Sequence, residues 1–209
     1  LIGAIIMVHG DDSGLVLPPV IAPVQVVIIP IAMHKDGVAD AADALEKKLA
    51  AFRTKADFTE NSPGWKFSQY EMMGVPVRVE IGPKDIANNQ AVLVRRDTSG
   101  KIVVSLDEIE EKIKALLDKI QNDMYLRAEK FLKAHTYVER DFDALCKAAA
   151  EKTGLFMTMW CGNDECEEKI KETTGLTSRC IPFEQTSIAN NCICCGGKAQ
   201  KLIYWGKAY

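Results

Sequence analysis

The stretch VQVVIIPI, residues 24–31, is a nearly unbroken run of apolar, largely β-branched side chains. A strand with one wet face alternates apolar and polar residues, whereas a continuous run marks a strand covered on both faces. Immediately after it, Val38, Ala41, Ala42, Leu45, Leu49 and Phe52 recur at three-and-four spacing, which is one face of a helix. A doubly buried strand followed by an amphipathic helix opens a layered α/β sheet. Four more runs carry strand patterning: RTKADFTE (53–60), VPVRVEIG (75–82), AVLVRRDT (91–98) and KIVVSL (101–106). Between them, SPGWKFSQYEMMG (62–74) predicts a short helix in which Ser62 caps, Pro63 fits the first turn and Gly74 supplies a left-handed stop. The expected architecture is a mixed five-stranded sheet with flanking helices.

Upstream, Pro18, Pro19 and Pro23 break whatever precedes them, because proline fixes the backbone and lacks a donor. The apolar opening LIGAIIMV (1–8) is too short for a membrane span and lacks the basic lead-in of a secretory signal. With no initiator Met and an opening inside a hydrophobic element, the sequence reads as the C-terminal part of a longer protein. Downstream, SLDEIEEKIKALLDKIQNDMYLRAEKFLKAH (105–135) predicts a long helix started by a Ser105–Glu108 capping box. Its apolar positions 106, 109, 113, 116, 117, 120 and 124 face the sheet, and its extension past Tyr125 bridges to a second unit. That unit reads as helix (140–154), strand LFMTMW (155–160), helix (164–175), strand SRCIPFE (178–184) and a closing strand around Leu202, Ile203, Tyr204 and Trp205, a small α+β domain.

The net charge of −3 excludes a general cationic field, so nucleic-acid contact must be local and shape-specific. No Walker motif, dinucleotide fingerprint or G-x-S-x-G is present in the sequence. HGDDSG (9–14) reads as a polar turn. Seven cysteines, an odd number clustered after residue 145, argue against a disulfide framework and for metal ligation. Cys161 and Cys166 in CGNDEC, with Cys192 and Cys195 in CICCGG, can place four thiolates around a tetrahedral zinc. Cys194 competes with its neighbours for the site, while Cys146 and Cys180 sit on apolar patterns and are expected in the core. With no histidine after His135, the site reads as closed and structural, and a zinc hydrolase or thiol redox protein is poorly supported.

Residues 75–101 carry five bases (Arg78, Lys84, Arg95, Arg96, Lys101) against three acids (Glu80, Asp85, Asp97), with Glu71 just upstream. A phosphate-binding patch is purely basic. A surface that reads unstacked guanine uses both signs, a carboxylate for the N1 and N2 hydrogens and Arg or Lys for O6 and N7. A solvated face of exposed ion pairs fits the same pattern.

LIGAIIMVHGDDSGLVLPPVIAPVQVVIIPI (1–31), SPGWKFSQYEMMGVPVRVEIGPKD (62–85) and the ending CGNDEC…RCIPFE…CICCGGKAQKLIYWGKAY together resemble the prolyl-tRNA synthetases of the archaeal/eukaryotic-like type. The resemblance implies that residues 1–21 end a class II catalytic domain, 22–125 form the anticodon-binding domain, and 126–209 form a zinc-binding C-terminal domain. It places the anticodon contacts on Glu71, Arg78, Asp85 and Lys101, and the zinc ligands on Cys161, Cys166, Cys192 and Cys195. It implies that Tyr209 is docked near the active site, and that no catalytic residue lies in this chain. Proline anticodons carry guanine at their second and third positions, which gives the mixed-charge surface a target. The family reaction is ATP-dependent attachment of proline to its tRNA, with magnesium, in a cytoplasmic homodimer; neither DNA nor membrane is an expected partner. A stand-alone RNA-binding module reusing this fold is the alternative.

Overall fold

The computed structural model describes residues 1–207, so Tyr209 lies outside the described residues. The chain divides into two compact units, Leu1–Leu126 and Arg127–Tyr209. No helix among the described residues is long and apolar enough to cross a membrane.

The first unit opens with helix α1 (Ile2–His9), none of whose residues is buried, and a hairpin of β1 (Gly10–Asp11) and β2 (Gly14–Leu15). Its sheet follows as β3 (Val26–Pro30), helix α2 (Val38–Lys48), β4 (Thr54–Ala56), helix α3 (Pro63–Met72), β5 (Val77–Ile81), helix α4 (Pro83–Ala87), β6 (Gln90–Arg95) and β7 (Lys101–Ser105). The five strands stand in the order β4-β3-β5-β6-β7, parallel among β3, β4 and β5 and antiparallel thereafter. The expected mixed five-stranded sheet is therefore present.

Topology decides how its two faces are covered. The crossover from β3 to β4 runs one way across the sheet, and the crossover from β4 to β5 returns over β3 in the opposite direction. Both being right-handed, their helices fall on opposite faces. Accordingly α2 packs Ala42 and Leu45 against Val26 and Ile28, while α3 packs Tyr70 and Phe67 against Val27 and Ile29. All five residues of β3 are buried, as the unbroken run VVIIP requires. After the β5–β6–β7 meander, helix α5 (Ile109–Ala134) returns to the α2 face with Ile109, Ile113, Leu117 and Ile120.

Helix α3 starts as its sequence predicts: Ser62 Oγ accepts from the Trp65 N–H, Pro63 opens the first turn, and Gly74 follows at φ 76°. A Cβ on Gly74 would lie 2.7 Å from Leu15 of the hairpin, so β2 can lie against this turn only if residue 74 has no side chain. The capping box expected at Ser105–Glu108 is not formed. Ser105 is still in the β7 ladder opposite Gln90, its Oγ accepts from the Asp107 N–H, and Glu108 pairs with Lys112. Helix α5 begins only at Ile109, so Glu108 precedes the helix and cannot be the third residue of a box capped by Ser105.

The second unit adds β8 (Thr136–Val138), helix α6 (Phe142–Glu151), β9 (Leu155–Trp160), helix α7 (Asp164–Thr174), β10 (Leu176–Cys180) and β11 (Lys201–Lys207), with strand order β10-β11-β9-β8. Only β8 and β9 are parallel; the others are antiparallel, which is the small α+β arrangement expected. Leu145, Ala148 and Ile170 of the helices close over Phe156, Ile203 and the fully buried Trp205, whose indole N–H donates to Thr158 Oγ1 at 2.8 Å. Strand β10 begins two residues earlier than the expected SRCIPFE and stops at Cys180, shortly before the donor-less Pro182. Neither Cys180 nor Cys146 is the core residue expected: Cys180 is exposed at the end of the edge strand β10, and Cys146, half-buried on α6, falls outside the buried stripe of Leu145, Ala148 and Ala149.

A buried polar group links β4 to α3. Lys66, 2% exposed, donates to the Asp57 carbonyl at 2.8 Å and lies 3.6 Å from its carboxylate, itself 3% exposed. Burial alone would raise the Asp57 carboxyl, but bonds from the Thr59 hydroxyl and N–H, with Lys66 and Tyr70, hold it below its usual value. Burial and the same carboxylate push Tyr70 up to about 12. Removing one partner of a buried pair strands the other, so Lys66→Ala should cost this unit about 3–5 kcal/mol, read as faster amide exchange in β3 and β4. Since Asp57 is depressed in the folded state, its contribution is present above the unfolded carboxyl value of about 3.9 and vanishes as pH falls through the folded value. An acid titration should therefore show the parent and Lys66→Ala proteins converging in stability below about pH 4.

Candidate nucleic-acid interface and metal centre

Because α3 covers β3 and reaches β5 through Phe67, and no helix among the described residues follows it onto β6 and β7, this face of the sheet opens progressively from β5 to β7. Residues opposite one another in the ladder share a face, so Arg78 lies beside Val94 and Lys101, and Glu80 beside Val92 and Val103. Burial records this asymmetry: β5 alternates buried and half-buried, while Val103 on β7 is 62% exposed. Hydrophobic side chains between two cations and a carboxylate make a surface with both stacking area and hydrogen-bonding groups.

Arg78 is held on two sides. Its guanidinium lies over the Phe67 ring, 4.1 Å from the centroid, and its Nε and Nη2 donate to Glu80 Oε1 at 3.0 and 2.9 Å. Lys101 Nζ stands 3.7 Å from Glu80 Oε2. Beside them, Glu71, Arg78 and Lys101 line a cavity of about 100 Å³ with Tyr70, Arg95 and Arg96. Glu71 belongs to the last turn of α3, and its backbone is fastened by Arg96, whose Nε donates to the Glu71 carbonyl at 2.8 Å. The other two guanidinium nitrogens of Arg96 grip the Asp11 carboxylate at 2.8 and 2.6 Å, holding it below its usual pKa and tying the β1–β2 hairpin to this rim. Arg95 is locked separately by Asp97 and Asp123, which raise its pKa.

Asp85 is not among the residues lining that cavity. It sits at the start of α4, beyond the far end of β5, where its Oδ2 accepts the Gly82 N–H at 2.9 Å. Glu71 and Asp85 therefore flank β5 at opposite ends, with Arg78 and Glu80 between. Glu80 and Arg96 belong to the mixed-charge stretch evident in the sequence, where neither has an assigned role, and Phe67 carries no signal there. The alternation R-V-E in a strand signals that Arg78 and Glu80 share a face, whereas nothing local announces the Arg96–Asp11 pair, 85 residues apart.

In the second unit, the Sγ atoms of Cys161, Cys166, Cys192 and Cys195 all lie within 4.8 Å of one another. Cys161 to Cys166 is 3.6 Å and Cys161 to Cys195 is 3.8 Å, far beyond the roughly 2.05 Å of a disulfide bond. Four sulfurs at about 2.3 Å from one ion stand about 3.8 Å apart, so the set fits a tetrahedral metal. The first pair comes from the end of β9 and the first turn of α7, joined through Gly162 at φ 86°. The second comes from a tight loop in which Gly196, at φ 70°, donates to the Cys192 carbonyl. Burial raises the Cys161 and Cys166 thiols. Burial opposes ionisation of Cys192 too, but the backbone N–H groups of Cys195, Cys194 and Cys161 outweigh it and bring that thiol down to about 7. Cys194 is half-buried and outside the four-sulfur group.

Residues 25–116 match the family described as "Anticodon binding domain", and residues 142–209 match "Prolyl-tRNA synthetase, C-terminal". Over its whole length the chain is 58% identical to a proline–tRNA ligase of Clostridium novyi, 59% to one of Lachnoclostridium phytofermentans and 57% to one of Clostridium botulinum. The chain matches the C-terminal part of prolyl-tRNA synthetases over its whole length. It spans 44% of the length of each of these relatives. The part matching the synthetase anticodon-binding domain contains the entire open face, and the part matching the synthetase C-terminal domain contains all four clustered cysteines.

The metal centre has a direct test. Protein purified without chelator should contain about one metal ion per chain by atomic emission, Cys192→Ser should lower that content at least tenfold, and Cys194→Ser should leave it unchanged. Chelation should lower the melting temperature of the Trp160–Trp205 region, followed by tryptophan fluorescence.

Proposed function

We propose that this chain is the tRNA-reading part of a proline–tRNA ligase, with the first unit selecting the anticodon and the second held by a structural zinc. The observation that carries this reading is the open face of β5–β7, where Glu71, Arg78 and Lys101 converge inside a region matching an anticodon-binding domain. Unstacked guanine offers N1 and N2 donors and O6 and N7 acceptors. The Glu71 carboxylate is suited to the former, Arg78 and Lys101 to the latter. Asp85, at the other end of β5, offers a second acceptor for the neighbouring guanine. β5 spans five residues, roughly 13 Å between terminal Cα atoms, which leaves room for two bases laid side by side. Exposed Val103 and half-buried Val92 give those bases an apolar bed.

Zinc held by Cys161, Cys166, Cys192 and Cys195 would serve as a cross-link between β9, α7 and the loop before β11. A centre with four thiolates leaves no open position for chemistry. In the whole ligase, ATP with magnesium activates proline as the adenylate, releasing pyrophosphate, and the prolyl group passes to the tRNA. The chain by itself is expected to be inactive in that reaction. Residues 1–21 would end the catalytic domain, 22–125 read the anticodon and 126–209 form the zinc domain, with Tyr209 near the active site. The assembly would be a cytoplasmic homodimer.

Arg78→Ala and Glu71→Ala should each weaken binding of a proline-anticodon stem-loop by about 1–3 kcal/mol. Binding of a stem-loop with both guanines replaced should change little, as measured by fluorescence anisotropy at fixed salt. Equal losses for both RNAs would show that the two residues act only as general charge or as structure.

A further inference from the structure

We infer that Glu80 is the positioning residue that turns Arg78 and Lys101 from phosphate attractors into readers of a base edge; the inference rests on the anticodon reading above. Two cations a few ångströms apart on an open sheet face would by themselves draw in any RNA backbone, since phosphate contact is electrostatic and blind to sequence. On this face a single carboxylate, with a side chain only 14% exposed, intervenes between them. Its Oε1 takes both the Nε and the Nη2 of Arg78, and its Oε2 faces Lys101.

This geometry does two things. It lowers the charge of the trio from +2 to +1, which weakens non-specific attraction. It also fixes which edge of the guanidinium remains available. Nε and one Nη2 hydrogen are taken by Glu80 and one face lies on Phe67, so the donors left for a ligand are the Nη1 hydrogens and the second Nη2 hydrogen. A fork constrained in this way presents donors in one orientation, as readout of O6 and N7 demands, without the conformational freedom a solvated arginine keeps. Sequence position explains why the pair forms: residues two apart on β5 point to the same face, which brings the Glu80 carboxylate beside Arg78.

Glu80→Gln tests this, because it keeps the shape and an acceptor for Arg78 while removing the charge. Binding of the 209-residue chain to two stem-loops, the proline anticodon loop and the same loop with its two guanines changed to adenine, gives a discrimination ratio. In Glu80→Gln this ratio should fall about tenfold, chiefly through tighter binding of the adenine loop. The log–log salt slope for that loop should steepen by about 0.7, one extra phosphate contact. In an Arg78→Ala background the same Glu80 change should lower the ratio by clearly less, because only Lys101 is then left for Glu80 to hold. A ratio within twofold of the parent with an unchanged slope, or an equal fall in the Arg78→Ala background, overturns the role of Glu80 while leaving guanine reading intact. If Arg78→Ala alone leaves the parent ratio unchanged, guanine reading itself fails and the role of Glu80 with it. Thermal melts of each variant identify any loss that comes from unfolding, and Glu80→Asp, which retains the charge on a shorter arm, should keep the parent salt slope.

Discussion

The packing of α3 against β3, reaching as far as β5 through Phe67, is the constraint on which the first unit's surface depends. Sheets in layered proteins cover both faces, and this one does so most fully at β3. Two right-handed crossovers in opposite directions force α2 and α3 onto opposite sides of β3, so the first strand is sealed. The antiparallel meander then carries the chain away from α3, and α5 returns to the side already occupied by α2. What remains is a sheet face that becomes exposed toward β7, and Arg78, Glu80 and Lys101 stand on it because ladder register places them there.

That open face would be an aggregation hazard if it were apolar and a non-specific RNA trap if it were purely basic. The clasp of Arg78 by Glu80 and Phe67 avoids both extremes, and Arg96 performs a similar task at the rim by joining Asp11 to the backbone of Glu71. Several charged side chains of this region are thus engaged with protein partners before any ligand arrives. Their desolvation and ordering costs are met within the fold, which is how a site of modest size gains selectivity. The cysteine centre applies comparable economy in the second unit, where a few short elements gather four thiols from both ends of a small domain.

Much of this was legible in the sequence, for identifiable reasons. VVIIP announces a strand buried on both faces, the Ser62–Pro63…Gly74 frame announces α3, and the two cysteine pairs announce a common centre, because each is a local pattern with one physical solution. Strand β8 was not legible: three residues are too few to show a period, and it exists because β9 offers an edge. Ser105 misled because its spacing to Glu108 is cap-like, whereas its Oγ closes a turn with the Asp107 N–H and α5 starts only at Ile109. Cys180 misled because an apolar pattern cannot reveal that its strand lies at an edge. The identity of the site residues came from a resemblance; their partners, Glu80, Phe67 and Arg96, became visible only when the ladder and the crossovers brought them together.

The central claim is that the open face of β5–β7 is where the anticodon is read. The most direct measurement is backbone amide NMR of the chain titrated with a proline-anticodon stem-loop. The account predicts the largest shift changes at Arg78, Glu80, Val92, Val94, Lys101 and Val103, with the α2 and α5 amides little affected. Changes concentrated on the α2–α5 face, or confined to the second unit with β5–β7 silent, would contradict it.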